Sequence, residues 1–266
     1  EQQLERINES LLNEGGIRDI NKLAERYPKA EIYFHQDLDG VVSALGMKNY
    51  LENYGIDVIG SHVIQYGDKE FSVKKPDASG DVMPVLVDFA HGKPIFKIHT
   101  DHHDSQAGVE DDTATQFRGA RSNVETISQT ISPSDIFSNE DIMMINTVDS
   151  ADYAKHDIEP EQVMNLIRDF EKGEQTYEKK WMLGLLTNKL LLAYKNKPGF
   201  LENLVMNSTP SLMNIYQNIN SYAKEKGFAS PEEMAQNQAG YIESQKKSKN
   251  LKLDGNIIVQ YGGGAL

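Results

Sequence analysis

Two hydrophobic periods alternate along this chain, and the switches between them lay out its elements. Leu4, Ile7, Leu11, Leu12, Ile17, Ile20, Leu23 and Ala24 recur at helical spacing with a break near Gly15-Gly16, which predicts two amphipathic helices before Tyr27. Glu31 to His35 then reads as a strand, and Val41, Val42, Ala44 and Leu45 open a helix that runs to about Asn53 and is ended by Gly55. Asp57 to Gln65, rich in Val and Ile, predicts a second strand, while the polar stretch from Tyr66 to Asp81 predicts a loop or weak hairpin. Val82 to Phe89 is a near-continuous apolar run broken by Asp88, the pattern of a strand covered on both faces, and Pro94 to Thr100 repeats it. Strands separated by helical stretches predict an α/β fold, a doubly wound parallel sheet with flanking helices.

Beyond the sheet the pattern turns helical. Gly108 to Arg121 reads as a loop, Ser122 to Ile131 as a helix with a Ser122/Glu125 capping box, and Ser138 to Ala154 as an amphipathic helix through Ile142, Met143, Ile145 and Val148. From Glu161 to Lys249 the period stays helical, and the Leu183 to Leu192 run with Trp181 and Met182 predicts the core of a helical layer. Leu251 to Gln260 reads as a strand opened by Asp254-Gly255, before the chain stops at Gly262-Gly263-Gly264-Ala265-Leu266. The expected organisation is a first unit over 1–160 with N-terminal helices over 1–28, a helical connector over 161–250, and over 251–266 the start of a second, truncated domain. A flexible tail after an added edge strand is the alternative. Glu1 in place of Met predicts a trimmed N-terminus.

Composition narrows the functional classes. With 266 residues and 39% hydrophobic residues the chain can bury a substantial core. A formal net charge of -13 argues against a protein that neutralises a long duplex, but leaves room for a short nucleotide if bound cations supply positive charge locally. The absence of cysteine removes disulfides, thiolate nucleophiles and zinc-thiolate sites. No apolar stretch approaches the roughly 18 residues that span a bilayer, and no charged-then-apolar signal region opens the chain, so the expectation is a cytoplasmic protein with no membrane partner. Oligomeric state is left open.

Candidate chemistry gathers where strands end. Strand alternation would place His35, Asp37 and Asp39 on one side of the backbone, with Gly40 allowing a tight turn after them. An Asp-x-Asp-Gly string is equally common in solvated turns. Two later stretches repeat the arrangement: Asp88 closes one apolar strand, and Asp101-His102-His103 closes another. Asp149 ends a helical apolar stretch, with Asp152 three residues on as its competitor. Arg118 and Arg121 lie at a helix start, where backbone N–H groups favour an anion, so they read either as phosphate contacts or as solvated loop residues. His99 and His91 read as structural or supporting histidines; His62 and His156 carry no signal.

His35-Gln36-Asp37-Leu38-Asp39-Gly40, Asp88, Asp101-His102-His103 and Asp149, in that order, resemble the four motifs of the DHH phosphoesterase family, and the form of the first is similar to its oligonucleotide-degrading branch. The resemblance covers residues from about 30 to 155. It implies two Mn²⁺ ions, with Mg²⁺ as a possible substitute: His35 and Asp37 on one, Asp39, His102 and Asp149 on the other, and Asp88 bridging both. It implies that His103 faces the substrate phosphate and that Asp101 orients the imidazoles. Family members often carry the first histidine four residues before the first aspartate, where this chain has Tyr33.

The implied activity is hydrolysis of phosphodiester bonds in short single-stranded oligonucleotides or small nucleotides, by a hydroxide bridging the metals. A pyrophosphatase or polyphosphatase is the alternative within the same chemistry, and would call for a dense Lys/Arg cradle; Lys69, Lys74 and Lys75 join the two arginines as candidates. An inactive DHH-fold protein that binds a nucleotide or a partner is the alternative from another class.

Overall fold

Five parallel strands form the sheet: β1 (Lys29–His35), β2 (Asp57–Ile64), β3 (Val82–Val87), β4 (Ile98–Asp101) and β5 (Ala114–Gln116). Their order is β2-β1-β3-β4-β5, so the sheet grows in one direction after β1 and then reverses to place β3 on its other side. That reversal is the mark of a doubly wound sheet. The structure, a computed structural model, describes residues 17, 19–65, 80–90, 96–103, 114–116, 120–130, 136–150, 181–197, 199–226, 251–254 and 257–260.

Side-chain alternation divides the two faces of the sheet. Ile32, Phe34, Met83, Val85, Val87 and Ile98 join one large cluster. Tyr33, Leu86, Ile64, Phe89 and Phe96 form a smaller cluster on their own. Seven helices are described: α1 (Ile20–Arg26), α2 (Leu38–Asn53), α3 (Asn123–Thr130), α4 (Asn139–Asp149), α5 (Trp181–Tyr194), α6 (Phe200–Asn207) and α7 (Leu212–Glu225). Buried residues of all of them, among them Ile20, Leu45, Ile127, Ile145, Leu191, Leu201 and Ile219, belong to the large cluster. The helical stretch after residue 180 thus shares its core with the sheet, and Ser61 of β2 donates to the backbone carbonyl of Glu202 in α6 (3.1 Å). The boundary expected near residue 160 falls outside the described residues.

Helix α2 is the element that presents the first motif. It starts at Leu38 rather than Val41, because Asp37 caps it: the Asp37 backbone is extended and its carboxylate accepts the Gly40 N–H at 2.9 Å. Asp39 therefore lies in the first turn of a helix, not on the strand, and period 2 does not extend past His35. The glycine at position 40 is required by close approach rather than by a turn, since a Cβ there would sit 2.3 Å from the carbonyl oxygen of His35.

Other elements differ from expectation at their edges. Strand β4 begins at Ile98, four residues after Pro94. The loop expected over Gly108 to Arg121 contains β5, whose three residues pair in parallel with His99 to Asp101. Leu251 to Gln260 is two strands, β6 (Leu251–Asp254) and β7 (Ile257–Gln260), antiparallel to each other in a separate sheet. Asp254 pairs with Ile257. The first of the two N-terminal helices, the loop from Tyr66 and the closing glycines lie outside the described residues. Among the described residues no helix is long and apolar enough to cross a membrane.

Candidate metal centre

In a doubly wound sheet the chain diverges to opposite sides at the carboxyl ends of the strands flanking the reversal, here β1 and β3, and opens a crevice there. His35 ends β1, Asp88 follows β3, and Asp101 ends β4 ahead of His102 and His103. Asp149, the last residue of α4, reaches the same place.

Asp88 is the most constrained of these residues. Its φ is 53°, the left-handed region that a non-glycine residue rarely enters, and its N–H donates to the Thr100 carbonyl at 2.9 Å, extending the β3–β4 pairing by one step. The carboxylate is buried, and its Oδ1 has no hydrogen-bond partner among the described residues. Burial first, then the nearby carboxylates of Asp39, Asp37, Asp149 and Asp101, push its pKa well above the usual range. One oxygen lies 3.5 Å from His102 Nε2 and the other 4.0 Å from His35 Nδ1, so Asp88 stands between two groups of side chains.

The first group is His35, Asp37 and Asp88, and the second is Asp39, His102 and Asp149; within each, the donor atoms lie within 4.8 Å of one another. In the first, His35 Nδ1 is 2.6 Å from Asp37 Oδ2 while its Nε2 is 2.8 Å from Gln65 Oε1. Burial disfavours the charged ring, but Asp37 and Gln65 outweigh it and raise the pKa of His35. Burial likewise acts to raise the pKa of Asp37, and is outweighed by His35 and the Gly40 N–H, which lower it. In the second group, His102 Nε2 lies 3.6 Å from Asp39, 3.5 Å from Asp88 and 3.4 Å from Asp149. These separations exceed the roughly 2.7–3.2 Å of an N–H···O bond. They suit a nitrogen and several oxygens that each approach one ion at about 2.0–2.2 Å. Burial, then Asp39 and Asp37, push Asp149 up to about 8.

A third overlapping group adds Asp101 and His103 to Asp88 and His102. Asp101 Oδ1 accepts the His102 N–H at 2.8 Å and lies 2.6 Å from His103 Nδ1. The hydrogen bond to Asp101 is the main reason the pKa of His103 is raised. Asp101 thus orients the His103 ring directly, but His102 only through its backbone.

Asp39 is held by a helix end. Its Oδ2 accepts the Asn123 N–H at 2.6 Å and its Oδ1 the Val124 N–H at 2.9 Å, so the start of α3 is capped by a residue 84 positions away. Burial still raises its pKa against the pull of His102 and those two donors. The anion position expected here for substrate phosphate is filled by the protein's own carboxylate. Arg121 is exposed on that turn, its backbone N–H bonded to Glu125 at 2.8 Å. Only half of the capping box forms as expected: Ser122 Oγ accepts the Glu125 N–H at 3.1 Å, while the Glu125 carboxylate reaches back to Arg121 rather than to Ser122.

Several contributors had no local signal in the sequence, among them Gln65 on His35, and Asn123 and Thr100, joined at 3.1 Å. Tyr33 packs in the small cluster, its ring against Phe96. His99 is buried with Nε2 at 2.9 Å from the Phe89 carbonyl, a structural role as expected. His62 stacks on Tyr33. Arg118, Asp152, His91, His156, Lys69, Lys74 and Lys75 lie outside the described residues. Comparison of the chain with protein-family models, with curated proteins and with solved structures found no match.

The residues present fit divalent cations. Buried carboxylates crowd together around Asp88, and among the described residues neither Asp88 Oδ1 nor Asp101 Oδ2 has a hydrogen-bond partner. Such a cluster is electrostatically costly unless compensated by positive charge. Mixed carboxylate and imidazole donors suit Mn²⁺ and similar ions.

Proposed function

We propose that this protein is a DHH-type, metal-dependent phosphoesterase that hydrolyses phosphodiester bonds in short single-stranded oligonucleotides or small nucleotides, with two Mn²⁺ ions as its cofactor and a cytoplasmic setting. The observation that carries this reading is Asp88: a buried, left-handed aspartate with an orphaned oxygen, standing between two side-chain groups of metal-ligand type.

In this reading His35 and Asp37 would hold one ion, Asp39, His102 and Asp149 the other, and Asp88 would be shared between them. Divalent ions held so closely would neutralise phosphoryl charge and acidify a water molecule, so no side-chain nucleophile is needed. Gln65, at 2.8 Å from Nε2, fixes the ring of His35 so that Nδ1 faces the acidic group. His103, held by Asp101 and half-exposed, is placed to donate a proton or hydrogen bond to a phosphate oxygen entering the crevice. The strongly negative chain favours a small anion that binds through metal over an extended duplex.

The test is Mn²⁺-dependent turnover of bis(p-nitrophenyl) phosphate, a short RNA or DNA oligomer, 3′-phosphoadenosine 5′-phosphate and pyrophosphate. Turnover of the esters, abolished by Asp88→Ala, is the expected result. Turnover confined to pyrophosphate would replace this reading with a pyrophosphatase. Tight Mn²⁺ binding with no turnover of any of the four would point to the inactive nucleotide- or partner-binding protein.

A further inference from the structure

The opening turn of α3 touches every segment that supplies the second group. Backbone N–H groups of Asn123 and Val124 hold both oxygens of Asp39. The Asn123 side chain donates to Thr100 Oγ1 at 3.1 Å, one residue before Asp101 and two before His102, and the Thr100 carbonyl accepts the Asp88 N–H at 2.9 Å. Ser122 Oγ donates to Asn146 Oδ1 at 2.6 Å, and Asn146 lies on α4 one turn before Asp149. Ser122, Asn123, Thr100 and Asn146 are all buried. None of the four is among the candidate metal-holding groups.

We infer that Ser122, Asn123 and Asn146 are positioning residues for the second metal position: they join Asp39, His102 and Asp149, contributed by three separate segments, into one preset donor set. This inference rests on the metal reading proposed above and adds to it a division of labour between the two positions. The physical argument is geometric. Asp39, His102 and Asp149 come from a helix start, a strand end and a helix end that are distant in sequence, and each could drift independently. A buried hydroxyl that accepts the Glu125 N–H while donating to Asn146 locks α3 to α4 in one register, and no water competes for the bond. Of the first group only Asp88, which stands between the two, is reached, through its N–H on the Thr100 carbonyl; His35 and Asp37 are held by each other, by Gln65 and by Gly40.

Removing a residue that orients a metal ligand generally weakens affinity by about 10–100-fold. Mn²⁺ titration of the full chain, read by the electron paramagnetic resonance of free Mn²⁺, should find two ions bound. Ser122→Ala and Asn146→Ala should each weaken one of the two by roughly 10–100-fold while leaving the other unchanged, and Ser122→Thr, which keeps the hydroxyl, should restore it. A merely structural role would weaken both ions together or neither. Should Ser122→Ala fold poorly, Asn123→Ala keeps the N–H cap on Asp39 while cutting the link to Thr100, and is expected to show the same one-ion loss. Equal affinity for both ions in all variants overturns this inference alone. No Mn²⁺ binding by the unsubstituted chain overturns the metal reading, and this inference with it.

Discussion

Asp88 Oδ1 lies 3.5 Å from His102 Nε2, and that carboxylate oxygen has no hydrogen-bond partner among the described residues. The two side chains come from adjacent parallel strands, β3 and β4, each just past its last paired residue. Removing the charge at position 88 should separate function from stability. Asn accepts the left-handed backbone of Asp88 with little strain and fills the same volume. Asp88→Asn is therefore expected to abolish Mn²⁺-dependent hydrolysis while raising the melting temperature of the chelator-treated protein at pH 8. Each kcal/mol of relieved repulsion is worth roughly 2–4 °C. Thermal unfolding in EDTA checks this, and a lower melting temperature in Asp88→Asn would show that the buried charge is compensated within the protein.

The metal-free protein should lose stability as pH rises. Asp149 is pushed up to about 8 when folded, first by burial and then by Asp39 and Asp37, against roughly 3.9 in an unfolded chain. Between those values the folded state holds the extra proton, so this contribution is complete below about pH 4 and is lost as pH rises through about 8. Asp88 and Asp39 are raised in the same direction, whereas Asp37, which is lowered, acts the other way and contributes stability that is lost in acid. Stabilisation by added Mn²⁺ should accordingly grow from pH 5 to pH 8, with proton release on binding. Melting curves with and without Mn²⁺ over that range decide it, and a pH-independent gap would be contrary.

Two glycines of α2 should respond differently to alanine. At Gly40 a Cβ would meet the His35 carbonyl oxygen at 2.3 Å, a backbone clash that only moving the helix start can relieve. At Gly46 a Cβ would meet Phe137 at 2.2 Å, the far end of a side chain. Both substitutions should destabilise by about 1–3 kcal/mol. Phe137→Leu should recover most of the loss for Gly46→Ala and none of it for Gly40→Ala, as measured by urea unfolding.

His99 supplies a control inside the same strand. Its bond to the Phe89 carbonyl is buried, so His99→Leu should cost about 1–3 kcal/mol by removing it. Both Mn²⁺ ions should still bind. Loss of one ion with unchanged stability would make His99 a metal ligand.

Much of this architecture is legible in the sequence, and the part that is not has a common cause. Strand β3 announces itself because a strand covered on both faces is apolar throughout, and the polar residues at or just past the ends of β1, β3 and β4, namely His35, Asp88 and Asp101, are those that meet at the crevice. Hydrophobic periodicity says which face is buried but not which polar groups meet. Asp39 was therefore expected on a strand, whereas it lies in a helix and caps α3 across 84 positions. The same gap hides Asn146 and Gln65. Three residues of β5 are too short to show a period.

The most direct measurement is anomalous diffraction from crystals of the full chain loaded with Mn²⁺. The account predicts two peaks roughly 3.5–4 Å apart with the Asp88 carboxylate between them, His35 and Asp37 beside one, and Asp39, His102 and Asp149 beside the other. An absence of peaks, or peaks out of reach of Asp88, would contradict it.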